Sequence, residues 1–278
     1  MTLQFIVWNV SPEIFSFPEW LPLLGGRGIR WYGMLFAASF VVGYFIMLKI
    51  FKKEKISEKV LDELSSYMLI ATIVGARLGH CLFYEPAYYL AHPIEILKIW
   101  EGGLASHGAG IAIVLALYFF SRKHQKSILW TLDRVIIVVA LAGFFIRTGN
   151  LMNSEIFGHI TDLPWGFKFV RYHDPLLNGD PRHPTQIYEG LFYLASFFFL
   201  YYSYFKRNMG EKQQGYLFGM FLILIFGIRF IIEFLKEPQV GFENTMALNM
   251  GQWLSIPFVL AGLVILYTGS KKNSLKKQ

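Results

Sequence analysis

Seven stretches of mostly apolar residues alternate with charged or turn-rich segments along this chain. They cover roughly residues 31–51, 64–84, 104–121, 131–150, 186–205, 215–235 and 249–269. Each comes close to or exceeds the roughly 20 residues with which an α-helix crosses about 30 Å of hydrocarbon. The pattern therefore predicts an all-α polytopic membrane protein, a single transmembrane domain of seven transmembrane helices over residues 1–278.

The segments outside these stretches predict two further features. Residues 1–30 mix Trp8, Trp20 and several prolines with short apolar patches, which suits a segment lying at the level of the lipid headgroups. Simple disorder is the alternative for this segment. The longest polar stretch, residues 151–182, is rich in proline and glycine, and it predicts a small head inserted between the fourth and fifth spans.

Lysine and arginine are concentrated in every second connection between the predicted spans. The basic set of connections contains Lys49, Lys52, Lys53, Lys55, Lys59, Arg122, Lys123, Lys126, Lys206, Arg207, Lys212, Lys271, Lys272, Lys276 and Lys277. The other set contains only Arg27, Arg30, Lys98, Lys168, Arg171, Arg182 and Lys236. Because cytoplasmic loops carry the excess of basic residues, we expect the N-terminus and the head outside and the C-terminus in the cytoplasm.

The composition agrees with this interpretation. Of the 278 residues, 54% are hydrophobic and only 16% are charged, which leaves too few polar side chains to cover a soluble globule of this size. The net charge of +7 could indicate nucleic acid, but the basic residues lie in clusters between apolar stretches, where membrane topology explains them better. The single cysteine, Cys81, excludes an internal disulfide and a cysteine-rich metal site. We expect no cleavable targeting segment.

Polar side chains within the apolar stretches converge on one predicted layer. With the N-terminus outside, the outer ends of the spans carry Tyr32, Arg77, His80, His107, Arg147, Asn150, Asn153, Glu155, His183, Gln186, Tyr188, Glu189, Arg229 and Glu233. A charge in hydrocarbon is costly unless it is paired or hydrated, and such residues usually mark function. This layer is therefore the candidate functional site.

Structural roles stay open for several of these residues. Arg229 and Glu233 are four residues apart on one helix face and could simply neutralise each other. Arg147 and Asn150 also share a face, and the asparagine could bridge two helices. The roles of Arg77, His80 and His183 are open, since an arginine near a helix end can also reach the interface by snorkelling. The histidines lack ligand spacing, so we expect no metal and no other cofactor.

Two arginines in a low-dielectric layer suit a phosphate group, because each guanidinium presents a planar fork of donors. At this depth the obvious phosphate is that of an anionic phospholipid, and the arginines would stabilise charge that develops on a leaving phosphate fragment. A transporter or channel for an anionic solute would use the same residues, and a non-catalytic scaffold is a third possibility. The odd number of spans and the one-sided layer favour an enzyme.

Six motifs then follow one another along the chain. They are RWYG at 30–33, GGLASHG at 102–108, RTGNLMNSEIFG at 147–158, HPTQIYE at 183–189, RFIIEF at 229–234 and MGQ at 250–252. Taken together, they resemble the prolipoprotein diacylglyceryl transferase family over nearly the whole chain. Ile146 and Ser154 differ from the glycines that the family usually has at these two positions, which leaves the local backbone geometry of the fourth-span motif as an open question.

The resemblance implies an enzyme of the bacterial cytoplasmic membrane whose active layer faces the outer leaflet. Its reaction moves the sn-1,2-diacylglyceryl group of phosphatidylglycerol to the lipobox cysteine of a prolipoprotein, so that a thioether forms and glycerol phosphate leaves. By motif, the implied catalytic positions are His107, Tyr32, Arg147 and Arg229. The implied phosphatidylglycerol-binding positions are Arg147, Asn150, Glu155, Gly158, Arg229 and Glu233.

The resemblance supplies two candidates for the group that accepts the thiol proton. An unperturbed imidazole has a pKa of about 6.5, whereas the pKa of a phenol is about 10 and would have to fall far before the phenolate served as a base at neutral pH. We therefore favour His107 as the base and assign Tyr32 to orienting the substrate.

Overall fold

The structure, a computed structural model, describes residues 5–21, 26–172, 179–238 and 246–275. The chain divides into two compact units, which are described separately. The first comprises the residues up to Gly43 and those from Val135 onwards, and the second comprises Tyr44–Arg134.

Most of the described chain is helical. The α-helices are α1 (Trp31–Lys53), α2 (Glu58–Phe83), α3 (Pro86–Ala91), α4 (Ser106–Lys123), α5 (Ile128–Met152), α6 (Thr185–Phe205), α7 (Met209–Lys212), α8 (Tyr216–Ile232) and α9 (Met250–Leu275). Short 3-10 helices cover Pro93–Leu97, Ile99–Glu101 and Glu233–Leu235. Within the described ranges, five helices are long and apolar enough to cross a membrane, namely α1, α2, α5, α8 and α9. The prediction of a mainly helical, polytopic membrane protein is confirmed.

The two other predicted spans, 104–121 and 186–205, also form helices, but these are less apolar. Helix α4 has only 18 residues, and Arg122 and Lys123 occupy its last turn. Helix α6 is long enough, but Gln186, Glu189 and several tyrosines lower its hydropathy. Seven spans and their orientation therefore remain a prediction.

Short strands are an addition to the predicted all-α class. Strand β1 (Ile6–Trp8) pairs in parallel with β4 (Phe167–Phe169), which pairs in antiparallel fashion with β5 (Pro181–Arg182). Strands β2 (Glu13–Ser16) and β3 (Gly28–Arg30) form a separate antiparallel pair. Disorder is therefore wrong for these parts of residues 1–30, since backbone hydrogen bonds order them.

The polar stretch after α5 has a hydrophobic core of its own. Its buried centre consists of Leu151, Phe157, Phe167 and Phe169, with Trp8, Tyr172 and Ile187 packed against it. The indole nitrogen of Trp8 also donates to the backbone oxygen of Leu151 at 3.0 Å. This core anchors the segment that follows α5 against the start of α6.

Small residues permit close helix packing in each unit. In the first unit, α8 packs against α6 and α9, and a Cβ added at Gly262 would lie 2.7 Å from the backbone oxygen of Gly219. In the second unit, α2 packs against α4, and a Cβ at Gly79 would lie 2.6 Å from the Cα of Gly108. Without side chains at these points, the backbones approach closely, as is typical of membrane helices.

Candidate active site

A network of buried charges joins α5, α6 and the segment after α8 in the first unit. The Nε atom of Arg147 lies 2.6 Å from Oε2 of Glu189. The ammonium of Lys236 lies 2.9 Å from Oε1 of Glu189 and 3.0 Å from Oε2 of Glu233. Glu189 is 0% exposed and Lys236 only 4%. Charges this deeply buried persist because each one faces an opposite charge.

The contact between Arg147 and Glu189 is an ion pair without hydrogen-bond alignment. Although the two atoms are close, Oε2 of Glu189 has no hydrogen-bond partner of acceptable geometry among the described residues. The attraction is therefore mainly electrostatic, and it is strong because water is excluded. Tyr193, which is buried on the same helix as Glu189, lies close enough to Arg147 to interact with it electrostatically.

A chain of side-chain hydrogen bonds extends this network to the end of α5. Nη1 of Arg147 donates to Oδ1 of Asn150 at 3.2 Å, and Nδ2 of Asn150 donates to Oε1 of Glu155 at 2.8 Å. Asn153 donates to the same oxygen of Glu155 at 3.2 Å, and Gln186 donates to the backbone oxygen of Glu155 at 2.6 Å. The structure thus brings Arg147, Asn150 and Glu155 together, as the sequence predicts.

The backbone that follows α5 is held in an unusual conformation. Ser154 and Ile156 have φ angles of 56° and 60°, in the left-handed region. This conformation is uncommon for residues other than glycine and is strained for a β-branched residue. The left-handed backbone at position 154 suits glycine, which the resembled family usually has where this chain has Ser154. The turn is closed by backbone donation from Glu155 to Asn150 at 3.0 Å, and it places the Glu155 carboxylate beside the Asn150 amide.

Gly158 ties this segment to the chain that follows α8. It forms an isolated antiparallel bridge with Lys236, and the neighbouring amide of His159 donates to Leu235 at 2.8 Å. A Cβ at position 158 would collide with the backbone oxygen of Leu235 and lie 2.8 Å from Cβ of His183. The described contacts of Gly158 are therefore with protein backbone and packed side chains. They fix the position of the Lys236 backbone.

Arg229 and Glu233 do not form the simple pair that their spacing allows. In the described part of the chain, Glu233 is bound by Lys236, and its backbone oxygen accepts from Nδ2 of Asn249 at 3.2 Å. A Cβ at Gly251 would overlap the Glu233 carboxylate, which shows how closely α9 approaches it. The Nε of Arg229 is buried without a hydrogen-bond partner among the described residues, and Tyr193 lies within electrostatic range of both Arg147 and Arg229.

Tyr32, at the start of α1, lies against α5 in this unit. A Cβ added at Gly149 would be 2.7 Å from Cδ2 of Tyr32, so the ring packs directly on the helix backbone. Arg147 and Glu155 are both within electrostatic range of the Tyr32 hydroxyl. Of the implied catalytic and phosphatidylglycerol-binding positions, the first unit therefore contains all except His107.

His107 belongs to the second unit, in the first turn of α4. Its ring centroid lies 5.7 Å from that of Phe83 and 5.7 Å from that of Tyr84. His80 stacks on Tyr84 at 5.6 Å, and its Nε2 lies 4.0 Å from the Glu85 carboxylate. The two histidines thus flank one tyrosine at the end of α2.

Arg77 holds the connection between α2 and α4. Its Nε donates to Ile96 at 2.9 Å and its Nη1 donates to Gly102 at 2.7 Å, both at backbone oxygens, while its guanidinium lies over the Tyr89 ring at 5.1 Å. An arginine that satisfies several backbone oxygens at once stabilises an irregular segment. These contacts give Arg77 a structural role within its unit.

Comparison with known proteins decides which family this is. The family model described as prolipoprotein diacylglyceryl transferase matches residues 18–268. This chain belongs to that family. A phosphatidylglycerol–prolipoprotein diacylglyceryl transferase of Tolumonas auensis is 48% identical over 270 residues, which cover 97% of this chain and 99% of the relative. Proteins of the same name from Chloroherpeton thalassium and Porphyromonas gingivalis are each 46% identical and cover 99% and 100% of this chain. The family resemblance inferred from the six motifs is confirmed.

Two residues of the buried network were not predicted from the sequence. Lys236 counts in the sequence only as one of the few basic residues on the outer side, and Tyr193 is one of many aromatic residues in an apolar stretch. The spacing of three residues between Glu233 and Lys236 is the available signal, because it matches an i,i+3 ion pair.

In the described ranges, no group of three or more His, Cys, Asp or Glu side chains is placed to hold a metal ion.

His183 lies in the segment directly before α6. Its Nδ1 is 3.3 Å from the Tyr188 hydroxyl, which also accepts from the indole nitrogen of Trp165 at 3.0 Å. Burial lowers the pKa of His183, and the nearby His159 lowers it further. The neutral imidazole is therefore the form that this environment favours.

Proposed function

We propose that this chain transfers the sn-1,2-diacylglyceryl group of phosphatidylglycerol to the lipobox cysteine of a prolipoprotein, forming a thioether and releasing glycerol phosphate. Its membership of the family and relatives of that name along nearly the whole chain support this activity. These relatives give no support to the anionic-solute transporter or the scaffold. The structural observation that carries the proposal is the half-buried Arg229, whose Nε atom is buried and has no hydrogen-bond partner among the described residues, whereas Arg147 is engaged in an ion pair.

A guanidinium whose buried Nε lacks a partner among the described residues is suited to an anion. Arg147 and Lys236 face Glu189 and Glu233, so these four charges balance one another. The positive charge of Arg229 is left for the lipid phosphate, and Arg147 adds a second positive charge close to the same residue, Tyr193. Both arginines then stabilise the negative charge that develops on the leaving group.

The reaction is a substitution at carbon. The thiolate sulfur attacks the glyceryl carbon that carries the phosphate, and the carbon–oxygen bond breaks with its electron pair passing to the leaving glycerol phosphate. His107 takes the thiol proton, while Tyr32 orients the reacting headgroup by a hydrogen bond. Asn150, Glu155, Gly158 and Glu233 complete the phosphatidylglycerol site, the first two through the hydrogen-bonded chain to Arg147.

The same proposal includes the topology. Helices α4 and α6 serve as the third and fifth of seven spans, the N-terminus and the head at 151–182 lie outside, and the C-terminus lies in the cytoplasm. The site then faces the outer leaflet of the bacterial cytoplasmic membrane. The alternation of basic and poorly basic connections supports this orientation.

The direct test is release of glycerol phosphate by the purified protein in detergent with phosphatidylglycerol and a lipobox peptide. We expect release that requires the peptide and stops when the peptide cysteine is replaced by serine. Release that is independent of the thiol would make the protein a phospholipase, and no release in the presence of both substrates would contradict the proposal.

A further inference from the structure

Lys236 is the only lysine that is fully buried among the residues that the structure describes. A lysine this deep costs stability unless its charge is compensated, because its long chain and ammonium group must both leave water. Its ammonium contacts two carboxylates, Glu189 at 2.9 Å and Glu233 at 3.0 Å. Since these carboxylates come from different helices, Lys236 joins two elements of the site by charge.

The backbone of Lys236 is held as firmly as its side chain. The bridge with Gly158 and the donation from Glu237 to Phe157 at 3.3 Å fix the segment on both sides of Lys236. Its position is therefore set by the strained turn after α5, and not only by the end of α8. An ammonium placed in this way can hold a carboxylate at a defined point.

We infer that Lys236 is a positioning residue, which holds the Glu189 carboxylate against Arg147. The inference rests on the proposed function and adds a third cation to its site. Glu189 uses one oxygen for Lys236 and the other for Arg147, so among the described residues it is the carboxylate within ion-pair distance of both cations. Lys236 acts through Glu189 and does not itself contact the substrate.

The charges explain why this link matters. Without Lys236, Glu189 and Glu233 would lose the cation that contacts both of them, and two carboxylates that face each other repel. Glu189 would then turn towards Arg147 or bind a proton, and in both cases the Arg147 guanidinium would move. Because Nη1 of Arg147 is bonded to Asn150, the displacement would pass to Glu155 as well.

Kinetics of charge-keeping and charge-removing variants test the role. We expect Lys236→Gln to lower kcat for diacylglyceryl transfer by up to about 100-fold, with a smaller change in KM for phosphatidylglycerol, because the misplaced Arg147 acts on the transition state. Lys236→Arg should restore most of the rate, since it keeps the charge. Lys168→Gln, on the head strand β4, is the matched control and should keep wild-type turnover. Near-normal kcat for Lys236→Gln would overturn the inference.

A double variant covers the case in which Lys236→Gln does not fold. Glu189→Gln combined with Lys236→Gln removes one charge of each sign and leaves no excess carboxylate in the network. We expect this double variant to turn over no faster than Glu189→Gln alone, because both changes break the same link to Arg147. Wild-type turnover by the double variant would show that neither residue positions Arg147.

Thermal unfolding separates this inference from the proposed activity. Lys236→Gln and Arg147→Gln should change Tm non-additively when Glu189 is present and more nearly additively in a Glu189→Gln background, because Glu189 forms an ion pair with both. This measurement needs no substrate, so it decides the inference even if the wild-type protein transfers no lipid. Additive effects in both backgrounds would contradict the link, whereas absent transfer with intact coupling would contradict only the proposed function.

Discussion

Arg147 uses its guanidinium in several directions at once. Nε faces Glu189 at 2.6 Å, Nη1 donates to Asn150 at 3.2 Å, and Tyr193 is close enough to interact electrostatically. A planar fork can serve these partners together, whereas a single ammonium group cannot. Arg229 differs, because its Nε is buried without a partner among the described residues.

These geometries predict how the two arginines respond to replacement. Gln at either position should lower transfer by at least about 100-fold, because the leaving phosphate loses a positioned cation. Lys should rescue poorly at both, since at 147 it cannot reach Glu189 and Asn150 together and at 229 it lacks the planar fork. The measurement is the rate of lipid transfer by protein that still elutes as a folded species. Near-normal turnover by the Lys variants would show that charge alone suffices.

His183 predicts a pH dependence of stability. Its pKa in the folded protein is lower than the value of about 6.5 expected in the unfolded chain, because it is partly buried beside His159. The unfolded chain therefore binds more protons between these two values, and stability should fall as the pH drops from about 6.5 to the folded pKa. Measured between pH 8 and pH 5, the Tm of His183→Asn should fall less than that of the wild type. Equal pH dependence in both proteins would contradict the assignment.

The sequence predicts most members of the network because a polar or ionisable side chain stands out in or directly after an apolar stretch. Arg147, Asn150 and Glu155 are found in this way, and the structure connects them. The burial of Lys236 is not predicted, because this residue directly follows a predicted span and lysines are common at such positions. Its burial depends on the bridge to Gly158, far away in the chain, which no local pattern encodes.

Helices α1 and α5 show how well the pattern of apolar residues predicts elements. The predicted spans 31–51 and 131–150 became Trp31–Lys53 and Ile128–Met152, so hydropathy located both helices to within a few residues. The strands β1 and β4 were not predicted. Each has three residues, too few for an alternating pattern, and they pair although they are distant in the chain.

The contact between α1 and α5 predicts a difference between two glycines. A Cβ at Gly149 would press on the Tyr32 ring at 2.7 Å and lie 3.2 Å from its Cα, whereas a Cβ at Gly43 would make an ordinary contact of 3.6 Å with Val138. Gly149→Ala should therefore cost about 1–3 kcal/mol of stability and reduce transfer by shifting Tyr32. Gly43→Ala, on the same helix pair, is the matched control and should change neither. Tm and transfer rate measure both, and equal behaviour of the two variants would contradict this packing.

At the scale of the whole molecule, basic residues predict the orientation in the membrane. In a background without Cys81, which is buried, a cysteine introduced at position 168 should react with a membrane-impermeant thiol reagent in intact cells. A cysteine at position 124 should react only after the membrane is permeabilised, because it lies in a basic connection. The reverse pattern would place the candidate site on the cytoplasmic side and overturn the proposed topology.

Diacylglyceryl transfer is the chemistry that fits the family, the buried network and its balance of charges. Five helices are long and apolar enough to hold the described chain in a bilayer, and the cation beside the balanced network suits the phosphate of a lipid. Transfer of the diacylglyceryl group, with its ester bonds intact, is the step that distinguishes this chemistry from acyl transfer and from lipid hydrolysis.

The most direct test is the intact mass of a lipobox peptide after incubation with the purified protein and phosphatidylglycerol of one known acyl composition. We expect a peptide heavier by the complete diacylglyceryl group of that lipid, attached at cysteine through a thioether that resists hydroxylamine. A peptide heavier by a single acyl chain in a hydroxylamine-sensitive bond, or an unchanged peptide, would contradict it.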